Sequence, residues 1–355
     1  MIYIFATLIG IYLIFSFVLA IGTFRLPISQ ITDREFPTVS VLLSCRNEEK
    51  DVQNCISSLE NIDYPKEKLQ VILIDDLSTD KTPHILNNAA EKNSNFEFYK
   101  SSEFPKNYLE AKARGIANAA SKARGEWLFI TDADCEVPKT WITHMLYGVD
   151  EQTGIITAAM DTMSPTFVGV LERIASIGRL LFGFGLAGYG LSAFALGPNM
   201  AIRKSIYDKA GGLEQADFRI AEDIALFNIS RKQGYKTKYH FDEKTTVLTS
   251  PVENIKQLHS QQARWLIGGL EGERSDISLT LTVILIELMI FPLLVGFMYL
   301  FISDIILALQ FLLVKGLSEL VMAMTIIKRL KVKNFLRQRS EEHTSELQSP
   351  DHLVC

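Results

Sequence analysis

The sequence predicts an α/β fold in which helices cover a parallel or mixed sheet, with one membrane helix before this domain and two after it. Two observations predict the sheet: β-prone runs alternate with helical stretches between residues 36 and 150, and the connections are short. The membrane helices are predicted because three stretches are apolar and long enough to cross a bilayer. The chain has 355 residues, 48% of them hydrophobic, which suffices for one large domain plus these spans.

The three apolar stretches are residues 1–24, 279–301 and 305–327. The first has no charged residue and no cleavage site of small residues, which is typical of an uncleaved signal anchor. Basic residues follow the first and the third stretch, so the positive-inside rule places the N-terminus outside and the domain between the spans in the cytoplasm. We therefore expect a multi-pass protein of the inner (cytoplasmic) membrane, with residues 36–270 as its cytosolic domain.

The first half of this domain is predicted to alternate strictly between strand and helix. Strands are expected at residues 39–45, 69–74, 96–100 and 126–131, and helices at residues 48–59, 79–92 and 108–123. No G-x-G-x-x-G sequence is present, which disfavours a dinucleotide site. Open α/β sheets bind their ligands at the carboxyl ends of parallel strands, so we look there for functional residues.

Two later segments are predicted to lie at the membrane surface. Residues 167–195 begin with apolar side chains at helical spacing, with Glu172, Arg173, Ser176 and Arg179 on the other side. The second half of this segment is rich in glycine and is not predicted to be helical. An ordinary buried helix is the alternative. Residues 255–267 form the second segment and lead towards the second span.

Composition excludes some classes of protein. The soluble part has no run of Lys and Arg interleaved with aromatic residues, so nucleic acid is not expected as a partner. The four cysteines form no CxxC pair, and their spacing fits neither a zinc site nor a disulfide framework. Reduced thiols in a cytosolic domain are the simpler interpretation.

Residues 339–355 differ in composition from the rest of the chain. A polar string without periodicity follows a basic run abruptly, and residues 339–349 resemble the translation of a sequencing adapter. We expect this segment not to be native, in which case the natural chain can continue differently and can hold further spans; a natural disordered tail is the alternative. It is excluded from reasoning about the fold.

Four short motifs follow one another in the domain. They are Asp75-Asp76-Leu77-Ser78, Asp132-Ala133-Asp134, Glu222-Asp223 and Gln261-Gln262-Ala263-Arg264-Trp265. The first two follow predicted strands, and two Asp residues one apart at such a place can hold Mg²⁺ or Mn²⁺ beside a diphosphate. A metal there would neutralise a phosphate leaving group, which is needed to move a sugar off a nucleotide.

This order of motifs resembles that of the membrane-bound inverting glycosyltransferases of family 2. The family includes cellulose, chitin and hyaluronan synthases, poly-N-acetylglucosamine synthases and ceramide glucosyltransferases. Residues 39–49 resemble its opening strand and nucleotide-binding turn, and residues 197–203 with 210–213 resemble the segment before its ED motif. The resemblance covers residues 37–270. It implies a glycosyltransferase-A type, Rossmann-like fold and a nucleotide-sugar donor, expected to be UDP-linked, with Mg²⁺ or Mn²⁺ and a polysaccharide or lipid acceptor.

The resemblance also implies roles for individual residues. It assigns Glu48, Asp75, Asp76, Lys112, Asp132 and Arg264 to the donor, Asp132 and Asp134 to the metal, Asp223 with Glu222 to catalysis, and Gln261 and Trp265 to the acceptor. Asp223 would be the general base. The guanidinium of Arg264 presents a fork of donors that matches diphosphate oxygens, and Trp265 offers a face on which a sugar ring can stack.

Each motif also has a structural interpretation. Asp75, Asp76 and Ser78 can end a strand and cap the next helix, and acids in a first helical turn, such as Glu222 and Asp223, are favoured by the helix dipole. Arg264 with Trp265 would also suit a membrane-interface anchor. The alternative function is a non-catalytic nucleotide-sugar-binding scaffold or sensor of a polysaccharide assembly complex.

Ionisable residues also occur in the predicted spans. They are Glu287, Lys315 and Glu319. Charged groups at membrane depth are costly unless they are paired, and Lys315 and Glu319 are one helical turn apart. We therefore expect these two to form an ion pair within one helix, and a polar lining for a sugar-chain channel is the alternative.

Overall fold

The computed structural model describes residues 2–31, 35–162, 164, 166–216, 221–269, 298 and 305–330. The predicted span at 279–301 lies outside the described residues except for Met298, and so does the segment 339–355. The ten strands within the described ranges are β1 (Val39–Cys45), β2 (Leu69–Asp75), β3 (Phe96–Lys100), β4 (Trp127–Asp132), β5 (Cys135–Glu136), β6 (Thr153–Ala158), β7 (Met160–Thr162), β8 (Met200–Arg203), β9 (Lys236–His240) and β10 (Val247–Thr249).

The α-helices of the described residues begin with one apolar helix before the sheet and end with one after it. They are α1 (Ile2–Arg25), α2 (Val52–Glu60), α3 (Thr82–Lys92), α4 (Ala111–Lys122), α5 (Trp141–Met145), α6 (Phe167–Ala187), α7 (Lys204–Lys209), α8 (Glu222–Lys232), α9 (Ile255–Gly269) and α10 (Ile305–Leu330).

The main sheet has seven strands in the order β3-β2-β1-β4-β8-β6-β9. β8 runs antiparallel to both of its neighbours, and the other pairs are parallel, so the sheet is mixed. The four strands predicted from the alternating half form one block of this sheet. Chain order reverses between β1 and β4, which creates the crevice where open α/β sheets bind ligands.

A second, three-stranded sheet lies beside this crevice, in the order β5-β10-β7. β10 pairs antiparallel with β5 and parallel with β7. Because β5 begins directly after Asp134, this small sheet fixes the turn that carries the second acidic motif.

Apolar side chains fill both faces of the main sheet. One buried cluster joins the sheet to α2 and α3 and includes Leu43, Ile56 and Leu86. The cluster on the opposite face joins the sheet to α4 and α8 through residues such as Ile116 and Leu226. This two-sided cover explains why the central strands are continuous apolar runs, as in β2, where every residue is buried.

A third cluster joins α1, α6 and α10 to the domain, through Leu19, Phe184 and Ile326 among others. The glycine-rich half of α6 is helical as far as Ala187, contrary to the sequence prediction. The reason is packing: a Cβ on Gly185 would lie 2.6 Å from the carbonyl oxygen of Leu19, and one on Gly188 would lie 1.9 Å from that of Gly22. Small residues let the two helix backbones approach closely.

One helix of the described chain, Ile305–Ile327, is long and apolar enough to cross a membrane by length and composition, while the apolar part of α1 is the shorter Ile9–Arg25. The predicted Lys315–Glu319 ion pair forms, with Nζ and Oε1 2.5 Å apart. Tyr12 of α1 donates its hydroxyl to the same Glu319 carboxylate at 2.6 Å. The bond from Tyr12 joins the first and last described helices.

Candidate active site

The turn after β1 and the turn after β2 are tied together at the crevice. The backbone N–H of Asn47 donates to Ser78 Oγ at 3.0 Å, and that of Glu48 donates to Thr82 Oγ1 at 2.8 Å. Asp75 accepts from the backbone N–H of Ser78 at 3.2 Å. Asp75 thus ends β2 and holds the turn, but it does not cap the next helix, which begins at Thr82 with Lys81 as its N-cap. Its assignment to the donor stays a prediction.

Asp76 is 1% exposed and forms a two-pronged ion pair with Arg114 of α4. Its oxygens accept from Arg114 Nε at 2.8 Å and Nη2 at 2.9 Å. A buried carboxylate with this partner stiffens the wall of the crevice. If Asp76 contacts the donor as predicted, the same carboxylate has to do so while it is paired with Arg114.

The second acidic motif ends β4, at the crevice. Asp132 is the last residue of the strand, and Asp134 lies in the turn directly before β5 of the small sheet. The backbone oxygen of Asp134 accepts from the N–H of Ser250 at 2.9 Å, and its Oδ2 accepts from Thr249 Oγ1 at 3.3 Å. Burial and the charge of Asp132 raise the pKa of Asp134 to about 6.

Glu48 faces the same pair of acids from the turn after β1. Burial raises the pKa of Glu48 to about 7, with further contributions from the charges of Asp134, Asp51 and Asp132. Three carboxylates from the ends of two neighbouring strands thus repel one another at one place. A cation that bound there would relieve this repulsion.

Lys112, at the start of α4, connects the second and third motifs. Its Nζ lies 2.6 Å from Asp132 Oδ1 and 2.8 Å from Glu222 Oε1. The charges of Asp132 and Glu222 raise the pKa of Lys112 against the opposing effect of burial. The sequence predicted that Lys112 binds the donor. In the structure its ammonium group contacts one carboxylate of the second motif and one of the third.

Asp223 is the second residue of α8 and lies near this lysine. Its Oδ2 accepts from the backbone N–H of Gly197 at 3.1 Å, and its Oδ1 accepts from the N–H of Ile224 at 2.8 Å. Burial and the charge of Glu222 raise the pKa of Asp223 to about 6, although Lys112 lowers it. An aspartate with that pKa is ionised at neutral pH and remains a useful base.

The segment Gly197-Pro198-Asn199 is held rigidly beneath Asp223. The side chain of Asn199 is fully buried; it accepts from Trp141 Nε1 at 2.8 Å and donates to the carbonyl oxygens of Ala159 and Thr245 at 2.6 and 2.8 Å. The sequence prediction missed this role for Asn199. One indication of this role was present in the sequence: Asn199 belongs to residues 197–203, the segment that resembles the family pattern before the ED motif.

The fourth motif lies on α9 and contacts α6. Gln261 Nε2 donates to the buried Glu172 Oε1 at 2.8 Å, and Trp265 lies beneath the guanidinium of Arg179. Arg264 is exposed. The sequence placed Glu172 and Arg179 on the polar side of α6 without assigning them a role. A periodic pattern defines two sides of a helix but does not say which side faces the site.

The acidic crevice suits a hard divalent cation. Asp132 and Asp134 offer carboxylate oxygens, the ligands that Mg²⁺ and Mn²⁺ prefer, and their mutual repulsion is relieved when a cation binds. Among residues that the structure describes, no group of three or more His, Cys, Asp or Glu is arranged to hold a metal. This donor set fits a metal that takes its other ligands from a diphosphate and water.

The comparisons with known proteins agree with these motifs. The sequence model of glycosyl transferase family 21 matches residues 4–343. The probable glycosyltransferase YdaM of Bacillus subtilis is 28% identical over 242 residues, covering 66% of this chain and 56% of its own. The poly-beta-1,6-N-acetyl-D-glucosamine synthase of Staphylococcus epidermidis is 27% identical over 257 residues, covering 70% of this chain and 58% of its own. The chain thus spans less than 60% of the length of these relatives.

The fold has a solved counterpart. A mannosyltransferase from Pyrobaculum calidifontis, PcManGT, solved with GDP-Man and Mn²⁺, superposes with a TM-score of 0.64 at 16% sequence identity. The alignment covers 93% of this chain and 95% of that one. Likeness at this identity shows the fold alone, and it confirms the predicted glycosyltransferase-A type sheet domain. The resemblance to family 2-type glycosyltransferases is confirmed by the relatives, one of which is a poly-N-acetylglucosamine synthase.

Proposed function

The chain belongs to glycosyl transferase family 21 and is a glycosyltransferase, and we propose that it moves a sugar from a nucleotide-sugar donor to a polysaccharide or lipid acceptor with inversion. In this proposal the donor is UDP-linked, the reaction depends on Mg²⁺ or Mn²⁺, and the domain works on the cytosolic side of the inner membrane. The acids of the crevice hold the donor, Asp223 is the base, and Trp265 meets the acceptor.

One observation supports the proposal most directly. Lys112 touches Asp132 and Glu222 at the same time, at 2.6 and 2.8 Å. Lys112 is therefore a shared counter-ion. It pairs with Asp132, which is expected at the donor, and with Glu222, which is expected near the acceptor, although 90 residues separate these two acids in sequence. A reaction between donor and acceptor needs both sets within one site.

Asp223 is suited to remove a proton from an acceptor hydroxyl. Hydrogen bonds from the N–H groups of Gly197 and Ile224 fix its carboxylate, and burial raises its pKa to about 6. A base positioned in this way contributes roughly 10²- to 10⁴-fold in rate. Inversion follows when the activated hydroxyl attacks the anomeric carbon from the face opposite the diphosphate.

Asp132 and Asp134 would hold the divalent cation. Bound there, the cation supplies Lewis-acid neutralisation of the charge that develops on the leaving diphosphate. Lys112 keeps Asp132 and Glu222 in place, and the pair Asp76–Arg114 keeps the wall of the crevice rigid.

The relatives set the substrates to be tested. Their names include a poly-beta-1,6-N-acetyl-D-glucosamine synthase and a beta-monoglucosyldiacylglycerol synthase, and PcManGT was solved with GDP-Man. A saccharide and a lipid are therefore both reasonable acceptors. UDP-GlcNAc, UDP-glucose and GDP-mannose form a sufficient panel of donors.

Several exposed apolar side chains support a place at the membrane. Phe167, Val170 and Ile174 of α6 are 73%, 46% and 52% exposed and lie on one side of the helix. The buried side of the same helix carries Glu172 and Ser176. An interfacial helix has this arrangement when its apolar side enters the bilayer and its polar side faces the site.

The test uses the full chain in lipid nanodiscs. The three donors are combined with Mn²⁺ or Mg²⁺ and with either a GlcNAc oligosaccharide or diacylglycerol, and the product and its anomeric configuration are measured. Asp223→Asn should retain donor binding and lose transfer by at least about 100-fold. Asp208→Asn, which removes an exposed carboxylate paired with Lys204, is the matched control. Equal losses of donor affinity and turnover in Asp223→Asn would make Asp223 a structural cap.

A further inference from the structure

Glu172 is a buried carboxylate to which the proposed reaction gives no role. It lies on α6 and is 1% exposed, so both of its oxygens depend on donors within the protein. Oε2 accepts from the backbone N–H of Val252 at 3.0 Å, and Oε1 accepts from Gln261 Nε2 at 2.8 Å. Val252 lies in the connection between β10 and α9, and Gln261 is the first residue of the fourth motif. One carboxylate thus joins this connection to the fourth motif.

The connection after β10 also holds the turn that carries Asp134. Thr249 Oγ1 donates to Asp134 Oδ2 at 3.3 Å, and the backbone N–H of Ser250 donates to the carbonyl oxygen of Asp134 at 2.9 Å. Only Pro251 separates Ser250 from Val252, and the ring of a proline fixes its backbone angle φ. A movement of Val252 should therefore displace Ser250 and, with it, the turn at Asp134.

A second contact fixes α6 to the same small sheet. Arg173, the residue after Glu172, donates through Nε to Asp161 Oδ1 at 2.9 Å and through Nη2 to Oδ2 at 2.6 Å. Asp161 is buried in β7 and is paired in register with Leu248 of β10. A two-pronged ion pair of this kind holds both partners in one geometry. Helix α6 is therefore a fixed support for the carboxylate of Glu172.

We propose that Glu172 is a positioning residue that couples the fourth motif to the metal-binding turn: by holding Gln261 and the connection after β10 on one carboxylate, it keeps α9 in a fixed place relative to Asp134. This inference rests on the proposed function, which places a divalent cation at Asp132 and Asp134. Loss of a group that hydrogen-bonds a metal ligand typically lowers metal affinity about 10- to 100-fold. Glu172 acts one contact further away, so we expect a smaller change, of about fivefold.

An exchange of the two side chains tests the coupling through the pair itself. Gln261→Glu places a second carboxylate within hydrogen-bond distance of the buried Glu172, and like charges at that distance repel. Adding Glu172→Gln to this variant restores the hydrogen bond with donor and acceptor exchanged, while the amide oxygen can still accept from the N–H of Val252. The single variant should therefore weaken Mn²⁺ binding, and the double variant should recover it.

The measurement uses the full chain in lipid nanodiscs, with Mn²⁺ and either UDP or GDP as probes. Electron paramagnetic resonance detects free Mn²⁺ and gives its dissociation constant without any transfer of sugar. Gln261→Glu should raise this constant about fivefold, and the double variant should lie within about twofold of the wild type.

Gln257→Glu is the matched control for this measurement. It makes the same substitution at an exposed position one turn earlier on α9, where the side-chain oxygen accepts from the backbone N–H of Glu253 at 2.8 Å. A carboxylate keeps that acceptor, so the dissociation constant should not change. If Gln261→Glu does not fold, Gln261→Leu takes its place; it removes the donor without adding a charge and should raise the constant about threefold.

The outcomes separate this inference from the proposed function. If the folded Gln261→Glu variant binds Mn²⁺ as tightly as the wild type, or if adding Glu172→Gln does not rescue its binding, Glu172 does not couple the two motifs. A wild type that binds no Mn²⁺ overturns the metal site and the coupling together. A wild type that binds Mn²⁺ but transfers no sugar overturns the proposed function, and the Mn²⁺ titration still decides the coupling.

Discussion

Removal of the Lys112 ammonium should move the pH dependence of the reaction. Lys112 Nζ and Asp223 Oδ2 each lie 3.2 Å from the point that a Cβ on Gly197 would occupy, so the two atoms are no more than twice that distance apart. At about 6 Å and an effective dielectric constant of about 20, their attraction is roughly 2.5 kcal/mol, equivalent to almost two pKa units. Partial exposure of the lysine reduces this, so we expect roughly one to two units.

The sign follows from the role of Asp223. Burial holds its pKa at about 6 while Lys112 lowers it, so loss of the lysine raises that pKa further. A base acts only when it is deprotonated. The acid limb of the rate profile should therefore move from about pH 6 to higher pH in Lys112→Met. In alkaline buffer, the part of the loss that comes from protonation of Asp223 should be recovered.

The assay measures the release of nucleoside diphosphate in the presence of acceptor, between pH 5 and pH 9 in steps of about half a pH unit. Lys122→Met is the matched control, because Lys122 is on the same helix and lies over the rings of Tyr99 and Phe104. Near-ultraviolet circular dichroism checks that both variants fold. An acid limb that stays at its wild-type position in Lys112→Met would refute the electrostatic coupling of Lys112 to the base.

Two further predictions use the same preparation, and a third uses intact cells. Asp134→Asn should reduce metal-dependent turnover by at least about 100-fold at every Mn²⁺ concentration, since an amide is a poor ligand; near-normal turnover would remove Asp134 from the metal site. In the wild type, kcat/KM should fall as pH drops through about 6, because the carboxylate of Asp223 is protonated below its raised pKa, and an activity that is flat down to pH 4 would contradict this. A single cysteine at the exposed Gln30, in a chain whose own cysteines are replaced, should not react with a membrane-impermeant thiol reagent in intact cells; labelling would overturn the cytosolic orientation.

The parallel half of the sheet could be predicted from the sequence because its signals are local. The strand at Val39–Cys45 and the strand at Phe96–Lys100 have the predicted bounds. Other elements depend on pairings between distant residues. β8 is four residues long and lies antiparallel between β4 and β6, and no local pattern in Met200–Arg203 indicates that place.

The motifs of the site could be predicted from the sequence, but the contacts that their residues make could not. The sequence identified Gln261 and Trp265, but their partners Glu172 and Arg179 are about 90 residues away, on a helix whose inward side periodicity could not determine. The glycine-rich end of α6 was misjudged for a similar reason. Glycine weakens an isolated helix, whereas here the absence of a Cβ lets α6 lie against α1 at Gly22.

The balance of charge in the crevice connects these observations with the metal. Besides Asp75 and the ion pair of Asp76 with Arg114, five carboxylates of the described residues influence one another there, together with two cations: the acids are Glu48, Asp132, Asp134, Glu222 and Asp223, and the cations are Lys112 and Arg179. Three of these acids have raised pKa values because burial and their neighbours disfavour a further negative charge. A nucleotide diphosphate would bring additional negative charge to the same place. In the proposed reaction a divalent cation would offset this charge and leave Asp223 ionised and free to act as a base, whereas protonation of the acids would not.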